Sequence, residues 1–232
     1  MIQGEYKSPE KARDYNANRF KGGLQLVDSD EMRILERWLT AKLPRGQAVV
    51  LDLGAGTGRT IKQILKIFPK TIYALDQSPA MLKLLEENYP DKIKEGTIKT
   101  IVGSSEKTAL PKESINVVVS LHLFKHLKEI KPTLIEINRI LKSKGLLMFD
   151  VLNINSIIRL NLGTCYALDK SSLVKNLAKN GFTCLEIISL HAFGETVHNV
   201  PGAPLIHIID QSLTRVGIPL GTKFFVLAQK NV

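Results

Sequence analysis

The chain is poor in several features that would each carry a function class. It has two cysteines, Cys165 and Cys184, in 232 residues. Two are too few for a disulfide framework and match no metal-ligand spacing, so no metal site and a reducing, cytoplasmic setting are expected. No run is long and apolar enough to cross a membrane, and residues 1–7 hold no apolar signal-like region. Aromatic residues make up 6%. No basic stretch is interleaved with aromatics, so the stacking platform of single-strand nucleic-acid readers is missing. There is no block of like charges, no internal repeat and no low-complexity segment. Neither a G-K-[ST] phosphate loop nor an Asn-Pro-Pro-Tyr/Phe signature occurs.

The hydrophobic content of 44% suffices for a sizeable core, and the formal net charge is +10. That charge suits an acidic partner such as RNA, an anionic cofactor or a membrane surface. The lysines are spread out, however. The densest stretch, Lys125 to Lys144, has Glu129 and Glu136 interleaved, as on a solvated helix face.

Strands alternate with helices along the chain. Apolar runs predict strands at Val49–Leu53, Thr71–Asp76, Thr97–Val102, Ile115–Ser120, Leu146–Val151, Phe182–Leu190 and Lys223–Gln229. Helical periodicity predicts a covering helix over Asp28–Leu43, with Asp28 and Glu31 at capping-box spacing. Further helices follow Gly58, Ser78-Pro79, Pro132 and either Asp169 or Ser171, and another spans 205–215. Such alternation indicates a parallel sheet covered on both faces, with ligands bound beyond the strand carboxyl ends.

The most informative stretch follows the first strand. Gly54, Gly56 and Gly58 lie between Leu53 and a helix start, where a ligand can approach backbone that lacks Cβ atoms. Arg59 stands where the dinucleotide fingerprint requires its third glycine, which argues against a nicotinamide cofactor. Asp76 closes the second strand, where a carboxylate can accept from both hydroxyls of a ribose.

Asp52-x-Gly54-x-Gly56-x-Gly58 resembles the first motif of the class I S-adenosylmethionine-dependent methyltransferases. Four further stretches resemble the family in order. Gly103-Ser104-Ser105-Glu106 with Leu110-Pro111 is similar to the adenine-side motif, with Ser104 in place of the usual Asp. Ser114 to Ser120 is similar to the fourth-strand motif, with Asn116 in place of Asp. Leu123 to Leu127 and Glu136 to Gly145 resemble the two segments that follow. Phe224 to Lys230 resembles the closing antiparallel strand.

The resemblance implies an α/β Rossmann-like doubly wound sheet, seven strands in the order 3-2-1-4-5-7-6 with strand 7 antiparallel, plus the N-terminal covering helix. Residues 1–44 would form a cap segment and helix, and 45–232 the cofactor-binding domain. It also implies S-adenosyl-L-methionine as cofactor, held by Tyr15, Arg19, Asp52, Gly54, Ala55, Gly56, Asp76, Gln77, Ser104, Ser105 and Ser120. A small-molecule acceptor is favoured by Leu121, Leu123, Phe124, Phe193, Val197, Val200 and Pro201, which suit a mostly apolar pocket. Methylation of RNA or protein, and cofactor binding without catalysis, stand as alternatives. His122, just past the fourth strand, is the best-placed candidate base, ahead of His126, His191, His198 and His207. No catalytic residue and no oligomeric state follows from the sequence.

Overall fold

Val49 to Leu53 is apolar at four of its five positions and forms strand β1. In the computed structural model the described residues are 10, 12–14, 24–156, 163, 165–192, 203–215 and 221–232. β1 pairs in parallel with β2 (Thr71–Asp76) on one side and β4 (Ile115–Ser120) on the other. β3 (Ile98–Val102) extends the sheet beyond β2, and β5 (Leu141–Asn153) beyond β4, both in parallel. β8 (Lys223–Lys230) then inserts between β5 and β7 (Phe182–Leu190), antiparallel to each.

The order is β3-β2-β1-β4-β5-β8-β7. This is the expected topology, renumbered by a two-residue strand β6 (Ala167–Leu168) that pairs with the end of β5. A strand so short leaves no periodicity to read. β5 also begins earlier than its apolar run suggests. Leu141 pairs with Ile115 ahead of a register shift, and the main pairing resumes at Val117 and Leu146.

Helices cover both faces. α1 (Leu24–Lys42), α2 (Ile61–Leu65) and α3 (Pro79–Asn88) lie on one side. Their Leu35, Trp38, Leu39, Ile61, Ile64, Leu82 and Leu85 pack with Val50, Val117 and Phe225. On the other side, α5 (Lys131–Ile140) and α6 (Lys170–Lys179) bury Leu134, Ile137, Leu173 and Leu177 against Leu51, Val118, Phe149 and Val226. Successive strand residues thus feed opposite core layers, and a sheet covered on both faces tolerates the Val117-Val118-Val119 run. α4 (Pro90–Lys94) is a single short turn, and α7 (Ala203–Arg215) follows β7. No described helix is long and apolar enough to cross a membrane.

Caps fix two helix starts. Ser78 Oγ accepts from Met81 N at 3.3 Å ahead of Pro79, and Asp169 Oδ1 accepts from Ser172 N at 2.9 Å. The expected start of α1 at Asp28 is corrected: the helix begins at Leu24 and runs through Asp28. Asp28 and Glu31 do not form a capping box, because both carboxylates turn to the guanidinium of Arg59. Further along α1, Trp38 meets the Phe225 ring at 5.4 Å and donates from Nε1 to Glu186 on β7 at 2.8 Å. The helix therefore lies against β7 and β8, with its first half beside the carboxyl ends of β1 and β4.

Candidate active site

The glycine loop is folded back on the second strand. Gly54 N and Ala55 N both donate to Leu75 O, at 2.8 and 3.0 Å. Asp76, the last residue of β2, accepts from Gly56 N at 2.9 Å through Oδ2 and from Ser78 N at 2.8 Å through Oδ1. Burial raises the pKa of Asp76, and the N–H groups of Ser78 and Gly56 oppose that rise. Each carboxylate oxygen has a second lone pair, so the group keeps capacity for two more donors.

The three glycines serve different ends. A Cβ on Gly54 would lie 3.2 Å from Leu123 Cβ. One on Gly58, at φ +87°, would lie 3.0 Å from both Leu85 Cγ and Tyr89 Cε2. These two glycines let the loop pack. Gly56, at φ +53°, would direct a Cβ into open space, with nothing among the described residues within 4 Å. The loop thus presents bare backbone to a crevice beside the Asp76 carboxylate.

Asp52 is buried and accepts from the Thr60 hydroxyl. Burial raises its pKa to about 7, against the Thr60 hydrogen bond and with help from the charge of Asp76. Ala55 is buried and Gln77 exposed at the adjoining strand ends. Beyond β3, Ser104 Oγ accepts from Glu106 N at 3.2 Å, while Ser105 Oγ is buried against Thr133 Oγ1 at 2.9 Å. Ser120 Oγ donates to Leu53 O at 2.9 Å. The hydroxyls of Ser105 and Ser120 therefore hold the frame together. Asn116 Oδ1 accepts from Val49 N at 2.9 Å and Lys142 Nζ at 3.3 Å, so this departure from the family pattern ties β4 to β1. Tyr15, Arg19, Phe193, Val197, His198, Val200 and Pro201 lie outside the described residues.

Beside the loop is a buried ionic cluster centred on Glu31, which has no exposed surface. Its carboxylate meets Lys223 Nζ at 2.6 Å, His122 Nε2 at 3.0 Å, His191 Nε2 at 3.7 Å and the Arg59 guanidinium. Arg59 Nε also donates to Asp28 at 2.5 Å. Asp150 accepts from His122 N at 2.5 Å and lies 3.8 Å from Lys223 Nζ. His191 Nδ1 is 3.6 Å from Asp210 on α7. His122 (φ +64°) and His191 (φ +60°) both adopt the left-handed conformation just past a strand, a geometry that occurs at functional sites more than elsewhere.

The charges decide the protonation states. Burial would raise the pKa of Glu31, but Lys223, Arg59 and His122 together hold it well below the usual carboxylate range. Burial, reinforced by Lys223, pushes His122 down to about 4. Near neutral pH the ring is therefore uncharged, and Nε2 carries the hydrogen that the ionised Glu31 accepts. His191 moves the other way: Asp210 and Glu31 outweigh its burial and raise its pKa. Ligand atoms of Glu31, His122 and Asp150 all lie within 4.8 Å of one another. The Lys223 ammonium already supplies the positive charge against those carboxylates.

Sequence reasoning singled out His122 and His191 but missed Glu31, Arg59, Asp150 and Lys223 as their partners. One signal was available. Val27, Glu31, Leu35 and Trp38 share one face of α1, and an acid within a buried stripe requires partners.

Residues 51–149 match the model of a methyltransferase domain family. Those residues form a methyltransferase domain, and the strand order around them is that of the class I S-adenosylmethionine-dependent methyltransferase fold. S-adenosyl-L-methionine is the cofactor of this class. An uncharacterized methyltransferase-like protein of Schizosaccharomyces pombe is 32% identical over 133 residues, which is 57% of this chain and 46% of that protein. A malonyl-[acyl-carrier protein] O-methyltransferase of Paenibacillus is 26% identical over 164 residues, 66% of this chain and 59% of the other. The chain thus spans about half the length of these curated relatives. Among solved structures, a SAM-dependent methyltransferase of Aquifex aeolicus superposes with a TM-score of 0.65 at 16% identity, over 96% of this chain and 98% of that one.

Proposed function

We propose that the protein transfers a methyl group from S-adenosylmethionine to a small, partly apolar acceptor. The observation that carries this reading is the open face of Gly56 beside the Asp76 carboxylate, at the carboxyl ends of β1 and β2. The backbone there gives a nucleoside room, and the remaining lone pairs of Asp76 match a vicinal diol. Ser104 and the backbone of Ser105 would border the adenine; Ser104 makes a neutral contact, weaker than the charged one usual in the family.

When bound, the cofactor supplies a methyl group already activated by its sulfonium. The chain then has to bind, orient and exclude water. Alignment alone supplies about 7–11 kcal/mol of the barrier. His122, with its pKa near 4, is a weak base at neutral pH. Acceptors that are already nucleophilic, or that lose their proton late, fit such a site best.

A second reading comes from the names of two relatives, both malonyl-[acyl-carrier protein] O-methyltransferases. By that reading the acceptor is an acyl group carried on a protein, and the +10 net charge would favour such a carrier if it were acidic. The deciding experiment incubates the protein with methyl-labelled cofactor and separate metabolite, RNA and protein fractions. Label in the metabolite fraction is the expected outcome. Label confined to RNA or protein reverses the choice of acceptor.

A further inference from the structure

We propose that Glu31 is a positioning residue: through Arg59 it fixes the far side of the glycine loop and links that loop to the acceptor side of the crevice. The inference rests on the reading of the glycine loop as the cofactor site.

The loop is secured at two places by charge. On the β2 side, Asp76 holds Gly56 N at 2.9 Å. On the α1 side, the side chain of Arg59, directly after Gly58, reaches Asp28 at 2.5 Å and Glu31. Asp28 is partly exposed, with 27% of its side-chain surface accessible, whereas Glu31 has none. Water can replace Asp28 but not Glu31. Removing one member of a buried pair leaves the other charge uncompensated, so loss of Glu31 forces Arg59 to another partner and moves the loop residues that carry it. The same carboxylate binds His122 at 3.0 Å and Lys223 at 2.6 Å. These lie just past β4 and at the start of β8. One side chain on the covering helix therefore touches the cofactor loop and the strand ends where an acceptor would sit. Glu31 itself is fully buried among Arg59, His122, His191 and Lys223, so it acts through them, and the role is positioning.

Calorimetry with S-adenosylhomocysteine on the full chain tests this through a double-mutant cycle of Glu31→Gln, Arg59→Met and the pair. Each single change is expected to weaken binding about five- to tenfold, a usual size for coupling between sites. The double variant should bind no more weakly than the worse single one, because Glu31 acts through Arg59. Arg59→Lys, which keeps one ion pair, should recover part of the loss. A Glu31→Gln protein with a lowered melting temperature but wild-type affinity would show a merely structural role and overturn the proposal. So would losses that multiply in the double variant. If Glu31→Gln does not fold, Asp28→Asn takes its place: about a twofold loss is expected in the wild-type background and none with Arg59→Met. Equal losses in both backgrounds overturn the proposal. Failure of the wild-type chain to bind S-adenosylhomocysteine would instead refute the cofactor-site reading on which it rests.

Discussion

Replacing Gly56 by alanine adds a single methyl group, and its consequences follow from two features of the loop. The residue has φ +53°, and an added Cβ meets no atom of the described residues within 4 Å. The conformational cost is that of holding an L-residue in the left-handed region, about 1–2 kcal/mol. For a chain of this size that lowers the melting temperature by roughly 2–8 °C. No packing clash adds to it. The new methyl instead stands in the space assigned to the cofactor, and overfilling a fitted site costs about 1–3 kcal/mol, or about 5- to 150-fold in affinity. Gly58→Ala makes the contrast. At φ +87° it bears similar strain, and its Cβ would also lie 3.0 Å from Leu85 and Tyr89. Its stability loss should be the larger, by about 1–3 kcal/mol. Melting curves and calorimetric titration with S-adenosylmethionine separate the two. Wild-type affinity in Gly56→Ala would refute the assignment of the crevice, as would a greater stability loss there than in Gly58→Ala.

Asp76→Ala removes the partner of Gly56 N and Ser78 N together with the acceptor for the diol, so cofactor affinity should fall at least tenfold, about 1.5–3 kcal/mol; Ser104→Ala, losing only a 3.2 Å contact with Glu106 N, should cost less, and the reverse order in calorimetry would show the adenine side misassigned. Two buried groups give opposite pH dependences of stability. Asp52, raised from 3.8 to about 7, keeps in the folded state a proton that the unfolded chain releases, so its contribution is present below pH 4 and is lost as pH rises through 7. His122, lowered from 6.5 to about 4, contributes above pH 6.5 and loses that contribution as pH falls through 4. The two partly cancel between pH 4 and 6.5. Urea midpoints against pH should therefore steepen on the acid side in Asp52→Asn, while His122→Asn, which tolerates the left-handed conformation, should lose stability as pH rises. Parallel profiles in the two variants would contradict these assignments. RNA affinity should be weak and fall steeply with salt, with a slope near −0.7 per phosphate contacted; tight, salt-insensitive binding would count against a small-molecule acceptor.

The frame of the molecule was legible because it is written in local signals. Alternating apolar runs and helical stripes gave the strands, the Ser78-Pro79 cap and the place of the glycine loop. Errors arose where a local rule met a long-range charge. Asp28 and Glu31 have capping-box spacing, yet Arg59 draws both away, and the helix starts at Leu24. Nor could local patterns show that the hydroxyls of Ser105 and Ser120 engage Thr133 and Leu53 O, far away in the chain. Asn116 reads as a departure from the family's pattern. Its partner Val49 N shows why the frame accepts it: an amide oxygen takes that hydrogen bond as well as a carboxylate would.

The buried ionic cluster was hardest to read, because its charges are drawn from elements far apart in the chain. Glu31 comes from α1, Arg59 from the loop, His122 from beyond β4, Asp150 from β5, His191 from beyond β7, Asp210 from α7 and Lys223 from β8. No spacing relates them. Their sum bears on the choice of acceptor. Asp28, Glu31, Asp150 and Asp210 are carboxylates, against the permanent cation of Arg59 and the ammonium of Lys223. His191, whose pKa Asp210 and Glu31 raise, lies between two of these carboxylates and would offset only part of that excess when protonated. An anionic acceptor next to this cluster would add to the excess negative charge in a region that excludes water, where like charges repel most strongly. A neutral acceptor leaves the balance intact. Within this cluster, local charge therefore favours a neutral small molecule over a carboxylate or a phosphodiester, even though the chain as a whole is basic.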